Sequence, residues 1–439
     1  MNWKKHYYRV GSHANGRDEL PTDAGELEDF ISASRKRIEP WLSAVFQADY
    51  LNLLLGSGFT TAIGFIAGAG TTGMARVTFG TQWDQFIDTH AELGAKVMMR
   101  GPANIEDQLR SALALLEGLI VVSSSEMAVL KRAIDKQMSS FLSSLLKTES
   151  DIAAGKDEQA RESARGVLQS FLLSFASRAT SRERLHVFTL NYDRLIEHGC
   201  DLAGLRIIDR FVGALNPIFR ASRVEVDLHY NPPGIRGEPR YMEGVIRLSK
   251  LHGSLDWFFV KSERRIQRKG IPFGAPATHT DIPQEPVDTV MIYPNAAKDI
   301  ETTQYPYAEL FRDFAAAVCR PNAVVVTYGY GFGDDHVNRV LLDMLTIPST
   351  HLVIIAYEAS DRLKSFCAQT REAQVSLLVG PHFGDLPMLV ENYLPKPALD
   401  KITARLTELM KARPSPNPEQ GPAAPQGGNP DQGPDDNTH

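Results

Sequence analysis

Short runs of apolar and β-branched residues alternate with helix-like segments over the second half of this chain, from Leu185 onward. Several of these runs are continuously apolar, which is typical of strands that are buried on both faces of a parallel sheet. Strands that alternate with helices predict an α/β fold with a Rossmann-like, doubly wound parallel sheet. The strand-like runs read LHVFTLN, GVIRLSKLHG, TVMIYP, NAVVVTYGYG and HLVIIAYE.

Length and composition limit the function classes. A chain of 439 residues suits two or three domains, or one α/β domain with a large insertion. The net charge of -6 creates no general basic field, so we expect no direct nucleic-acid binding. Only three cysteines occur, Cys200, Cys319 and Cys367, which are too far apart in sequence for a zinc ribbon and give no disulfide framework. We therefore expect no zinc or other metal, and a reducing cytoplasm as the compartment.

The stretch 51–75 carries no charged side chain and is long enough to be considered as a membrane span. Its glycines and threonines dilute the apolar residues, and the strongly apolar part, LNLLLG, has only the length of a strand. We therefore expect no membrane span. Leu53 to Leu55 are predicted as a buried strand, and Gly56 to Thr61 as the turn into a helix.

The predicted domain organisation has three parts. Residues 1–47 are predicted to form an N-terminal helical segment, with Pro40 separating two helices. Residues 48–400 hold the sheet, interrupted by a helical insertion at about 82–180 that we expect to pack on itself. Residues 413–439 are rich in Pro, Gly, Asn and Asp and predict a disordered tail, because they cannot bury enough apolar area to fold.

Four polar or glycine-rich segments follow predicted strands. The first, GSGFT, fits a phosphate-binding turn, because glycines permit close backbone approach and helix N-terminal amides favour an anion. A tight strand-to-helix turn without a ligand explains it equally well. The other three are TLNYD with Asn191 and Asp193, KLHGS with His252, and the glycine-rich TYGYGFGDDH. In one open sheet these segments would converge on the crevice where such folds bind ligands.

Taken in order, the four segments resemble the motifs of the sirtuin family, and in particular of its bacterial SIR2-like branch associated with antiphage defence. The resemblance covers about Ala48 to Leu386 and implies that 48–400 is a sirtuin-like NAD-binding catalytic domain, with NAD as substrate. The catalytic residues that it implies are Asn191, Asp193 and His252. The implied NAD contacts are Gly56, Ser57, Gly58 and Thr60 at the pyrophosphate, Thr189 nearby, Gly329, Tyr330 and Gly331 at the adenosine, and Tyr357 and Glu358 at the adenine.

The chain departs from the sirtuin protein deacylases in one respect: the helical insertion stands in place of their zinc module. With no acyl group to attack the ribose, water becomes the nucleophile, so we expect an NAD hydrolase that depletes cellular NAD. Asn191 is expected to orient the water and His252 to accept a proton, whereas Asp193 either polarises the site or caps a helix. The alternatives are a protein deacylase, an ADP-ribosyltransferase, or a non-catalytic sensor of NAD or ADP-ribose.

Unrestrained NAD hydrolysis would kill the host cell, so the resemblance also implies regulation through assembly. We expect a homo-oligomer that works with a HerA-like DNA translocase ATPase, which would supply the nucleic-acid contact. The helical insertion or the N-terminal helices are the expected oligomer contacts.

Overall fold

A computed structural model of the chain describes residues 3–396, apart from 71–74, 98–100, 180, 221–226, 231–239, 261, 284–285, 287–289 and 293–304. The described residues up to Pro395 form one compact unit. The tail predicted at 413–439 lies outside the described residues, as does the last part of the 48–400 domain.

The strands in the described residues form three sheets. In chain order they are β1 (His6–Val10), β2 (His13–Arg17), β3 (Tyr50–Leu55), β4 (His186–Thr189), β5 (Arg206–Ile208), β6 (Phe211–Val212), β7 (Ile218–Phe219), β8 (His229–Tyr230), β9 (Arg240–Tyr241), β10 (Val245–Lys250), β11 (Gly253–Val260), β12 (Arg265–Arg268), β13 (Val290–Ile292), β14 (Ala323–Tyr328), β15 (His351–Ala356) and β16 (Val375–Val379).

A nine-stranded sheet, in the order β2-β1-β16-β15-β14-β3-β4-β10-β5, is the centre of residues 1–395. The pairs from β16 to β5 are all parallel. Numbered along the chain, the strands β3, β4, β10, β14, β15 and β16 lie in the spatial order 3-2-1-4-5-6, which is the doubly wound order. The predicted α/β, Rossmann-like fold class is confirmed. The sequence AVVVTY of β14 is buried at every position, as a two-sided sheet requires.

Twelve helices occur in the described part of the chain. They are α1 (Ala24–Val45), α2 (Ser57–Ile66), α3 (Asp84–Val97), α4 (Ile105–Val121), α5 (Met127–Ala154), α6 (Glu158–Ala176), α7 (Leu195–Ala203), α8 (Tyr307–Val318), α9 (Asp335–Met344), α10 (Asp361–Ala368), α11 (Pro381–Gly384) and α12 (Leu386–Asn392). The helices α3 to α6 correspond to the predicted insertion. No described helix has the length and apolarity needed to cross a membrane.

The N-terminal segment differs from the prediction for 1–47, because a strand hairpin precedes its helix. The buried strand β1 pairs antiparallel with β16 and with β2. A single helix, α1, then runs through Pro40 without a break. Pro40 removes one backbone donor, but Ile38 and Leu42 beside it are fully buried in the core, and this packing holds the helix together.

A second sheet has the order β13-β11-β12-β7-β6. Its strands come from the chain on both sides of β10. Its pairs are antiparallel. The run TVMIYP, predicted among the strands of the parallel sheet, supplies β13 of this second sheet instead. A short apolar run has the same pattern in either kind of sheet, so its sequence does not distinguish them.

Candidate active site

A cavity of about 220 Å³ lies where the strand order reverses, at the carboxyl ends of β3 and β14. Open doubly wound sheets bind ligands at this position. All four predicted segments contribute to its wall. The sequence-predicted residues that line it are Gly56, Ser57, Thr60, Asn191, Asp193, His252, Tyr330 and Gly331.

The two glycine-rich turns pack directly against each other. The amide of Gly56 donates to the Tyr328 carbonyl at 3.1 Å, and that of Gly58 donates to the Gly329 carbonyl at 3.0 Å. A Cβ at Gly58 would lie 2.7 Å from the Gly329 Cα, closer than side chains tolerate. Gly58 and Gly329 therefore allow the two turns to pack closely, and neither residue lines the cavity. Because two amides of the GSG turn already have protein acceptors, Ser57 is its residue best placed to meet a ligand.

Substituting Gly329 by alanine tests this backbone packing. Gly329 has φ +63°, and a Cβ there would lie 2.6 Å from the Phe59 amide nitrogen. Left-handed backbone and overpacking together predict a loss of about 2–4 kcal/mol in the free energy of unfolding, measured by urea titration. Gly166→Ala is the control: a Cβ at that helical position meets nothing within 4 Å. It should be neutral or stabilising by up to about 1 kcal/mol. Equal losses in both variants would contradict the packing argument.

Asn191 is fixed by bonds to both neighbouring segments. Its Nδ2 donates to the Gly56 carbonyl and to Thr60 Oγ1, both at 3.0 Å. Its backbone amide donates to Thr189 Oγ1 at 3.1 Å, and Thr189 donates in turn to the Leu55 carbonyl. Thr189 is fully buried, so it positions Asn191 rather than lining the cavity. Both amide hydrogens of Asn191 are used, which leaves Oδ1 as the polar atom that can accept a bond from a ligand.

Asp193 continues the same hydrogen-bond chain. Its Oδ2 accepts from Thr60 Oγ1 at 2.7 Å, and its Oδ1 accepts from the amide of Leu195, the first residue of α7. The backbone carbonyl of Asp193 accepts from Lys250 Nζ at 2.5 Å. Arg194, not Asp193, is the N-cap of α7, but Asp193 still accepts from the first amide of that helix and is linked to Thr60 in the cavity wall.

His252 follows β10 and is buried, with its Nε2 3.3 Å from the Nε2 of His336. His336 is the second residue of α9, whose N-cap is Asp334. One ligand-type atom of each of these three residues lies within 4.8 Å of the others. The sequence analysis assigned Gly329, Tyr330 and Gly331 of TYGYGFGDDH to the site and missed His336, although this histidine ends the same motif.

The helical insertion forms one wall of the cavity, through Asn104 and Glu106 at the start of α4 and through Phe141, Leu145 and Thr148 on α5. The insertion packs on itself, as predicted, but it also packs against other parts of the chain. Its apolar cluster includes Tyr192, Leu255 and Phe258 from outside the insertion. The Tyr192 hydroxyl donates to Glu106 Oε1 at 3.2 Å. Burial, together with the Glu106 carboxylate, raises the pKa of Tyr192 well above its usual value.

A buried ion pair joins α5 to the segment that carries Asn191 and Asp193. Arg194 Nη2 lies 2.5 Å from Glu149 Oε2, and both side chains are almost fully buried. Glu149 Oε1 also accepts from the Arg194 backbone amide at 2.8 Å. Burial raises the pKa of Glu149, and the guanidinium of Arg194 opposes that shift.

Arg362, on α10, is the arginine that lines the cavity. Its guanidinium makes no ion pair or hydrogen bond with the rest of the described chain. Tyr357 and Glu358, predicted near an adenine, follow β15 as exposed residues and do not line the cavity. The sequence reading missed Arg362, because one basic residue at a helix start carries no motif.

A larger cavity, of about 970 Å³, lies along β4, β10 and β5. It contains none of the predicted site residues. Its charged lining is largely paired, as in Arg210 with Asp313 and Arg247 with Asp227. We therefore take the smaller cavity, where the four segments meet, as the candidate active site.

The chain matches no family model, and no curated protein matches its sequence. The resemblance of the four segments to the sirtuin motifs therefore stays a prediction.

Proposed function

We propose that the chain is a sirtuin-like NAD hydrolase, which converts NAD⁺ and water into nicotinamide, ADP-ribose and a proton. The observation that carries the proposal is the meeting of Ser57, Asn191 and His252 in one cavity at the strand-order reversal. A binding module needs a cradle for its ligand. It does not need a buried amide and a buried histidine held at the same crevice.

The proposed reaction breaks the bond between the ribose C1′ and the nicotinamide nitrogen. Nicotinamide leaves as a neutral molecule from a cationic pyridinium, so the barrier lies in forming an oxocarbenium-like ribose. Asn191 Oδ1 accepts a hydrogen bond from the attacking water, and the two bonds of Nδ2 hold the amide in place. His252 accepts the proton that the water releases, and ADP-ribose is the product.

The charge of the cavity wall suits this transition state. Three carboxyl groups, those of Glu106, Asp193 and Asp334, line the cavity. Negative charge in a partly dry site favours both the cationic nicotinamide ring and the positive charge that develops on the ribose. The cavity of about 220 Å³ fits this end of the dinucleotide, and the remainder has to extend beyond it.

Arg362 is the proposed partner of the NAD pyrophosphate, because its guanidinium lines the cavity without another described ion-pair partner. Arg362→Gln should raise the KM for NAD by roughly 10- to 100-fold, the value of a charged hydrogen bond, with a smaller change in kcat. Steady-state kinetics of nicotinamide release measure both constants. Lys364→Gln, on the same helix but outside the cavity lining, is the control and should keep the parental KM. A KM that is unchanged in Arg362→Gln would exclude this role.

Nicotinamide and ADP-ribose formation from NAD by the purified chain tests the proposed activity. We expect both products in equal amounts without any acylated peptide or protein acceptor. A strict need for an acylated peptide would favour a deacylase, and transfer to a protein would favour an ADP-ribosyltransferase. NAD binding without turnover, with and without the partner described below, would favour a sensor.

We further propose that the enzyme is a cytoplasmic homo-oligomer that is activated with a HerA-like ATPase. An exposed apolar segment at the end of α4 offers an assembly contact: Ile120, Val121 and Val122 are 54%, 82% and 70% exposed. Mass measurements of the chain alone and mixed with the ATPase test this. A monomer in the first case and an unchanged mass in the second would contradict the proposed assembly.

A further inference from the structure

Two loops from distant parts of the chain place a histidine pair and a carboxylate together. His252 follows β10, whereas Asp334 and His336 lie at the start of α9. His336 is 84 residues beyond His252 in the sequence. The two histidines are buried, and Asp334 is half-buried. His252 and Asp334 also line the cavity.

The spacing of the two ring nitrogens fits a metal site. A tetrahedral ion with bonds of about 2.0–2.1 Å holds two nitrogen ligands about 3.3–3.4 Å apart. The Nε2 atoms of His252 and His336 are 3.3 Å apart. This distance lies at the long end for a direct hydrogen bond, which is about 2.7–3.2 Å when a nitrogen donates to oxygen.

The Asp334 side chain does not cap the helix that it precedes. It occupies the N-cap of α9, yet its side chain accepts no bond from the first amides of that described helix. Asp23, Asp157 and Asp385 hold the same position at α1, α6 and α12, and each caps its helix.

The turn before Asp334 is also strained. Phe332 has φ +54°, a left-handed conformation that bulky residues rarely adopt. Phe332 is buried, and its ring packs against Tyr330 and Phe366. Packing therefore compensates for a backbone conformation that costs about 1–3 kcal/mol. Strain of this kind is typical of turns that present functional groups.

We propose that His252, Asp334 and His336 bind a divalent transition-metal ion such as Zn²⁺, with a further coordination position open to the cavity. Two histidines and one carboxylate are a common ligand set for zinc with an open position. The sequence expectation of no metal rested on cysteine spacing, which cannot show a site built from histidines on two separate loops.

The consequence of this site is restraint of the proposed NAD hydrolysis, and this part of the inference rests on the proposed function. An ion bound to the His252 Nε2 uses the lone pair that would otherwise accept a proton. A divalent cation in the cavity also repels the nicotinamide ring and the cationic ribose. Zn²⁺ should therefore inhibit NAD hydrolysis, and a chelator should relieve the inhibition.

The metal content of the full chain tests the site without reference to activity. After dialysis against Zn²⁺ and then against metal-free buffer, elemental analysis should find one ion per chain. Co²⁺ in its place should give the visible absorption of a tetrahedral complex. His336→Ala and the milder His336→Asn should each weaken ion binding by roughly 100-fold or more. His13→Ala, which changes an exposed histidine on β2, is the control and should keep the ion.

The possible outcomes separate the site from the activity. A parental chain that retains no ion, or folded His336 variants that bind it as tightly as the parent, would overturn the metal site. One ion per chain that both His336 variants lose would support it, even if the chain did not hydrolyse NAD. If NAD hydrolysis proceeded equally with Zn²⁺ and with a chelator, the restraint would be wrong while the proposed function stood.

Discussion

Asn191→Ala is expected to lower the rate of NAD hydrolysis by about 10² to 10⁴ without unfolding the chain. The alanine removes the Oδ1 that is proposed to accept a bond from the attacking water, so the loss should appear in kcat. His252→Ala should lose activity on the same scale, because it removes the proposed proton acceptor. Nicotinamide release at saturating NAD measures the effect.

A structural cost has to be separated from the catalytic one. Asn191→Ala removes the donor to Thr60 Oγ1 and one of the two donors to the Gly56 carbonyl, which keeps the Phe59 amide; the loss should cost about 1–3 kcal/mol of stability. A urea titration shows whether the variant is folded under the assay conditions. Asn15→Ala, on the exposed strand β2, is the matched control and should keep the parental rate. A folded Asn191→Ala enzyme with the parental rate would exclude Asn191 from the reaction.

The central sheet could be predicted from sequence because a strand buried on both faces has a distinctive apolar run. Leu53 to Leu55 and the AVVVTY of β14 are such runs, and they pair as neighbours. The hairpin of β1 and β2 could not be predicted in this way. The sequence HYYRV of β1 carries a histidine and an arginine, and it is buried because it pairs with β16 near the other end of the chain.

The site was predicted where its residues follow strands, because the carboxyl ends of parallel strands lie at one edge of the sheet. Asn191, Asp193 and His252 meet there for this reason. The wall formed by Glu106 and Phe141 depends on how the helical insertion packs against the sheet-bearing part of the chain. The helical periodicity of the insertion does not show which part of the chain it packs against. The glycines posed a third difficulty. The sequence does not distinguish a glycine that contacts a ligand from one that allows close backbone packing, such as Gly58.

Arg194→Met should lower the free energy of unfolding by about 3–5 kcal/mol, because it leaves the Glu149 carboxylate buried without its counter-charge. Arg194 also donates to the carbonyls of Ile271 and Pro272, so methionine removes the Arg194 donor from both; the Pro272 carbonyl keeps its bond from the Ala275 amide. Urea titration of the purified variant measures the loss. Arg194 follows Asp193 directly, so α5 would no longer hold the segment that carries Asn191 and Asp193. The proposed NAD hydrolysis should therefore fall too.

Two further variants identify the source of this loss. Lys147→Met breaks the exposed pair with Asp151 on the same helix and should cost no more than about 1 kcal/mol. The double variant Arg194→Met, Glu149→Leu should be more stable than Arg194→Met alone, because apolar residues often replace a buried ion pair at little cost. Equal losses for Arg194→Met and Lys147→Met would show that the buried pair does not bind the insertion to the site. A double variant that is stable but hydrolyses NAD slowly would show that the ion pair is needed to position Asn191 and Asp193, and that the stability of the fold depends on it less.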